Sequence, residues 1–212
     1  MMIRRFATSE DGAAMVEMTI VSTLLFALTL GFVDFGYAFY QWNAATKAVQ
    51  VGARLASISD SVATNLATAA PTANPGAPVV AGVYGPFVCS YSGATGSCTN
   101  SGGFSAAAFS QIFRGDTAVT NDDACPALTT GQRPGMCHFF PGLLRSNVVI
   151  TYTASGLGYQ TRLGGPVPTI TVSLQNRTFQ FFFLQGLMGF ANINMPSMLS
   201  TVTGEDIKST WP

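Results

Sequence analysis

Charge is what this sequence has least of. Ten basic and ten acidic residues among 212 make a charged fraction of 9% and a net charge of zero, which is low for a free-standing soluble domain. No basic stripe is present to meet a phosphate backbone, which argues against nucleic acid as a partner. Histidine occurs once, at His138, so acid-base chemistry has a single imidazole at its disposal. The acids Asp116, Asp122, Asp123, Glu205 and Asp206 lie in polar, turn-like surroundings, and the pairs Asp122-Asp123 and Glu205-Asp206 read as solvated faces, not catalytic dyads. Neither a phosphate-binding glycine loop nor a nucleophile elbow occurs. The reading is of a protein that is not an enzyme, with no cofactor and no metal.

Cysteine is also scarce. The four residues Cys89, Cys98, Cys125 and Cys137 all lie in a Gly, Ser, Thr and Asn-rich region, a placement that suits an oxidising compartment. Four cysteines allow three connectivities; local pairing of Cys89 with Cys98 and of Cys125 with Cys137 closes short loops and is preferred. A zinc site using Cys137 and His138 is the rival, but it lacks the paired Cys-x-x-Cys spacing.

What the chain has in quantity is apolar surface near its start. No charged residue occurs from Met18 to Val33, and with its flanks the stretch Ala13 to Tyr40 has the length a helix needs to cross a bilayer. Glu17 and Asp34 bracket the run. An ionised Glu17 in lipid needs a partner. Asp34 is expected at the outer bilayer surface, where an acid costs little, with Tyr37, Tyr40 and Trp42 as an interfacial aromatic belt. The run is too long for a cleaved secretory signal, and the small residues Gly12-Ala13-Ala14 precede it instead of following it. Arg4 and Arg5 place the leader in the cytoplasm by the positive-inside rule.

The helical pattern continues past the membrane-length run. Val49, Gly52, Ala53, Leu55, Ala56 and Ile58 recur at three- and four-residue intervals with Lys47, Gln50 and Arg54 between them, which predicts an amphipathic helix to about Ser59. At 1.5 Å per residue the whole helix would be about 70 Å long, more than a bilayer is thick. The expected organisation is a leader over 1–12, a membrane-spanning and amphipathic helix over 13–60, a Pro- and Ala-rich linker over 61–78, and a head domain over 79–212. Within the head, Ser105 to Phe113 predicts a short helix, while Asn147 to Thr153 and Thr169 to Leu174 are β-branched runs that predict an antiparallel pair. Phe179 to Leu184 is expected to extend the second strand and Met198 to Thr203 to add a third. The aromatic run Phe179, Phe181, Phe182, Phe183 is expected in core and strand, or as an interaction patch if exposed. The fold class is therefore α+β, a long N-terminal helix followed by a domain with a small antiparallel sheet.

Gly12 followed five residues later by Glu17, at the start of an apolar helix, resembles the processing site of type IV prepilins. Gly31-Phe32-Val33-Asp34-Phe35-Gly36-Tyr37, then Asn43-Ala44-Ala45 and Gly52-Ala53-Arg54-Leu55-Ala56, resemble the N-terminal region of TadE-like pseudopilins of the Tad (Flp) type IVb pilus system. Met18 stands where members usually carry an aromatic. The resemblance implies a pilin-like fold and cleavage between Gly12 and Ala13 by a prepilin peptidase. It implies an inner-membrane location with a periplasmic head, and assembly with other pilin and pseudopilin subunits, possible entry into an extracellular pilus included. Glu17 would then pair with the new amino group of Ala13, on its own or a neighbouring subunit. The alternative is a single-span envelope binding protein or adhesin that is never processed.

Overall fold

The computed structural model of the chain describes residues 10–71, 73–100, 103–161, 165–188 and 193–204. Arg4, Arg5, Gly102, Gly164, Phe190, Glu205 and Asp206 lie outside them, as does most of the expected leader. The described residues divide into two compact units, one built from the chain up to Gln41 with Thr178–Ile193, the other from Trp42–Arg177 with the chain from Asn194.

Helix α1 runs over Glu10–Ile58. It contains no proline, and its first glycine after Gly12 is Gly31, so nothing in the sequence breaks it. In the first unit its hydroxyls turn back onto the backbone. Thr19 Oγ1 donates to Met15 O at 2.8 Å, Ser22 Oγ to Met18 O at 2.7 Å and Thr23 Oγ1 to Thr19 O at 2.7 Å, which satisfies each polar group within the helix. The large side chains Leu24, Leu25, Phe26, Leu28 and Phe32 point outward and are exposed. The window is apolar enough to cross a membrane and none of it is buried within the chain.

The other part of this unit is an excursion of the chain, Thr178–Ile193, that carries helix α4, Phe183–Met188. The excursion is closed at its base, where Phe179 N–H donates to Ile193 O at 2.8 Å. This corrects the expectation that Phe179 to Leu184 extends a strand. The run Phe181-Phe182-Phe183 has no polar alternation to define two faces of a sheet, and acceptors for a helix start are supplied to it from α1.

In the second unit five strands form one antiparallel sheet in the order β2-β1-β3-β4-β5. They are β1 Phe87–Ser92, β2 Thr95–Cys98, β3 Val148–Thr153, β4 Thr169–Leu174 and β5 Leu199–Thr203. Every second residue of β1 and β3 is buried, the signature of a sheet with one face packed. The register aligns Phe87, Tyr152, Ile170 and Val202 in one cross-strand row and Cys89, Ile150 and Val172 in the next. Those rows share a core with Ala45, Ala48, Val49, Ala53 and Ala56 of α1, while Lys47, Gln50 and Arg54 are exposed, as the amphipathic pattern predicts. Small residues on the packed stripe bring the helix backbone close. At Gly52 an added Cβ would lie 2.5 Å from the Sδ of Met136, which is fully buried.

The expected linker is partly core. Val62, Ala63 and Leu66 are buried, the last on a 3-10 turn over Thr64–Thr68, and Val62 N–H donates to the buried Tyr152 Oη at 3.0 Å. Helix α2, Ala106–Phe113, begins where expected, with Ser105 Oγ accepting from Ala108 N–H at 3.2 Å. A short helix α3 covers Met136–Phe139.

Candidate functional site

Among the described residues, the first unit carries the features that set this chain apart from an ordinary globular domain. Near its start Gly12 is half-buried, and Ala13, Ala14 and Glu17 are exposed on α1. Ala13 and Glu17 are four residues apart on a helix, so their side chains lie on one face, a turn apart. A carboxylate there is within reach of an amino group created at Ala13. The helix already includes Gly12, so the Gly12–Ala13 bond sits in the first helical turn, where N–H groups have no intrahelical acceptor and fraying is easiest. These positions follow from helix geometry.

The most organised polar feature lies halfway along α1. Asp34 has no exposure at all. Its Oδ1 accepts from Phe182 N–H at 3.0 Å, and its Oδ2 accepts from Phe183 N–H at 2.9 Å and Leu184 N–H at 2.7 Å. The carboxylate thus caps α4 from a different segment of chain, supplying the acceptors that the first turn of a helix lacks. Seven residues on, Gln41 makes a reciprocal pair, its Oε1 accepting from Gln180 N–H at 3.3 Å and its Nε2 donating to Gln180 O at 3.4 Å. Positions seven apart share a helix face. The aromatic rings follow the same alignment: Phe181 meets Phe35 edge-on at 6.2 Å, and Phe182 lies 5.2 Å from Tyr37.

Asp34 is therefore not an acid lying freely at a bilayer surface, as expected from sequence, but a buried clamp. The sequence signal was present in the spacing of two polar residues, Asp34 and Gln41, on one helix face; the partner segment, 148 to 150 residues away, left no mark that pattern reading can pair with it. The aromatic run divides. Phe181 is buried, but Phe182 is 60% and Phe183 41% exposed.

In the second unit disulfides join Cys89 to Cys98, which face each other across β1 and β2, and Cys125 to Cys137. Cys125, Cys137 and His138 lie close enough to hold a metal, but sulfurs joined to each other offer no thiolate. Both ring nitrogens of His138 are engaged: Nδ1 accepts from Gly135 N–H at 3.1 Å, and Nε2 lies 2.9 Å from Pro126 O. The acids nearby meet arginines. Asp123 Oδ1 accepts from Arg145 Nε at 3.0 Å and Arg145 N–H at 2.9 Å, and Asp116 and Asp122 lie 3.6 and 3.5 Å from Arg114. Arg145 also lies over the Tyr91 ring at 4.7 Å and donates to Thr120 O at 2.8 Å. These contacts fasten the strandless segment between α2 and α3 to the sheet.

A family model described as TadE-like protein matches residues 12–54. The match lies within α1 and stops before the first strand. No curated protein and no solved structure matches the chain.

Proposed function

We propose, from the premise that residues 12–54 carry a TadE-like domain, that this chain is a pilin-like subunit taking part in assembly of a Tad (Flp) pilus. It is held in the bacterial inner membrane by α1, with its sheet-bearing unit in the periplasm, and is matured by a prepilin peptidase that cuts between Gly12 and Ala13. It then associates with other pilin and pseudopilin subunits through the exposed apolar side chains of α1. Its work is assembly, without turnover of a substrate.

The observation that carries this reading is the coincidence of the family match with an unbroken helix whose membrane-length apolar window is not buried within the chain. A helix apolar on every side is stable only in lipid or among other helices, and a pilin-like subunit passes from the first to the second. The two disulfides fit the same topology, since they persist in oxidising compartments.

Intact mass and N-terminal sequencing of the chain, from cells with and without the peptidase, test the proposal. Loss of residues 1–12 only where the peptidase is present is expected. Gly12→Leu should leave the full-length form in the membrane, because a tight site that admits a residue without a side chain excludes a branched one. A full-length chain in peptidase-positive cells would support the unprocessed envelope anchor instead.

A further inference from the structure

We propose that the segment Thr178–Met188 is a second membrane contact, an interfacial segment fastened to the spanning helix by Asp34, which lays Phe182 and Phe183 in the boundary between lipid headgroups and acyl chains. This rests on the membrane-anchored reading above and adds to it a surface that the family match, confined to residues 12–54, does not reach.

The chemistry of the segment comes first. From Thr178 to Gly204 the sequence contains no charged residue, and two of its largest apolar side chains, Phe182 and Phe183, are 60% and 41% exposed. The backbone points the same way. A helix start has N–H groups without intrahelical acceptors, and at an apolar boundary no water replaces them. The Asp34 carboxylate takes three of these donors, those of Phe182, Phe183 and Leu184. In water those N–H groups can be solvated without help, and a carboxylate cap adds only a modest gain. At a lipid boundary the same arrangement solves two problems together: the N–H groups gain acceptors and the acid gains donors.

The position along α1 matches. Asp34 directly follows the charge-free run Met18 to Val33, and a hydrocarbon core takes about 20 helical residues, so a span that starts near Met15 ends at Asp34. The rings of Phe181 and Phe182 lie against Phe35 and Tyr37, and Tyr37 stacks on Tyr40. The excursion therefore enlarges an aromatic cluster at the level where aromatic rings settle in membrane interfaces. Lipid is favoured as the occupant because this surface is continuous with the exposed apolar surface of the span and bears no charge with which to select a protein.

The test uses the full-length chain in vesicles of phosphatidylethanolamine and phosphatidylglycerol, with p-benzoylphenylalanine replacing Phe182, Phe26 or Leu157 in separate preparations. After irradiation, mass spectrometry should find lipid adducts at positions 26 and 182 and none at 157, an exposed position of the second unit. In the Asp34→Ala background the adducts at 182 should fall several-fold while those at 26 stay unchanged. Adducts at 26 without adducts at 182 would overturn the interfacial contact and leave the membrane anchor standing. Absence at both positions would overturn both, and crosslinks from 182 to a second copy of the chain would show that protein, not lipid, is the occupant. Unchanged adducts at 182 in the Asp34→Ala chain would overturn the clamp.

Discussion

A buried polar atom raises stability only as far as its partner is present, and Tyr152 shows the rule in its simplest form. Its hydroxyl is the acceptor for Val62 N–H at 3.0 Å in the middle of the core. Tyr152→Phe keeps the ring and removes the acceptor, so an amide is left unpaired at full burial, and chemical denaturation should show a loss of about 1–3 kcal/mol. Burial pushes the Tyr152 phenol above its ordinary value, the Val62 hydrogen bond opposing this in part. Because the folded value lies above the unfolded one, stability is retained below the ordinary tyrosine range and lost as pH rises through the folded value. The Phe variant should lack that alkaline loss. Asp122 works in the opposite sense: its hydrogen bond with Thr120, then Ala124 N–H and the charges of Arg114 and Arg145, hold its carboxyl below the usual range against a smaller opposing effect of desolvation. Its contribution is present above the unfolded carboxylate value and is lost as pH falls through the folded one. Thermal unfolding of wild type and Asp122→Asn should therefore differ at pH 7 and converge in acid.

At the scale of elements, the two disulfides differ in what surrounds them. Cys89 is buried in β1 and its partner Cys98 is half-buried, whereas Cys125 is exposed on the segment between α2 and α3. A reductant must reach sulfur to attack it, so timed reduction and alkylation should open Cys125–Cys137 first. Its loss should release the Arg145 and Asp123 contacts before the sheet unfolds, seen as faster amide exchange at Ala118 and Ala124 with β3 and β4 still protected. The same contrast explains which elements were legible in the sequence. Strands β3 and β4 announce themselves through Val148-Val149-Ile150 and Ile170-Thr171-Val172, where β-branched residues and alternation agree. Strands β1 and β2 carry Ser, Gly and Cys at most positions and exist because a cross-strand disulfide and the edge of β3 hold them. Helix α4 was hidden for a different reason. Its six residues open on the strand former Phe183 and include the helix breaker Gly186, and what makes it a helix is a carboxylate on α1. Local pattern records local causes, and Asp34 and α4 are joined by a distant one.

On the scale of the whole molecule, the chain combines a unit that can bury its apolar surface with a helix that cannot. Between Met15 and Val33 the only ionisable side chain is Glu17, exposed on α1. In the proposed topology it would sit near the cytoplasmic end of the span, where a carboxylate reaches water by extending along the helix. Among packed helices that route is closed, and the charge then needs a cation of its own. The proposed cleavage at Gly12 would supply one, the amino group of Ala13, a turn away on the same face or at the equivalent place on a neighbouring helix. On that proposal the charge would be tolerable before processing and directive after it. Glu17→Gln should accordingly be inserted and cleaved as wild type, because the amide preserves shape and no step before assembly uses the charge. It should then crosslink to partner pilins several-fold less, since the new amine is left without a counter-charge in an apolar interface. Quantifying crosslinked species from the processed chain in the same membrane separates these steps. Wild-type crosslinking by the Gln variant would restrict Glu17 to the lipid interface, and the association of α1 with other pilins would then have to draw its specificity from shape alone.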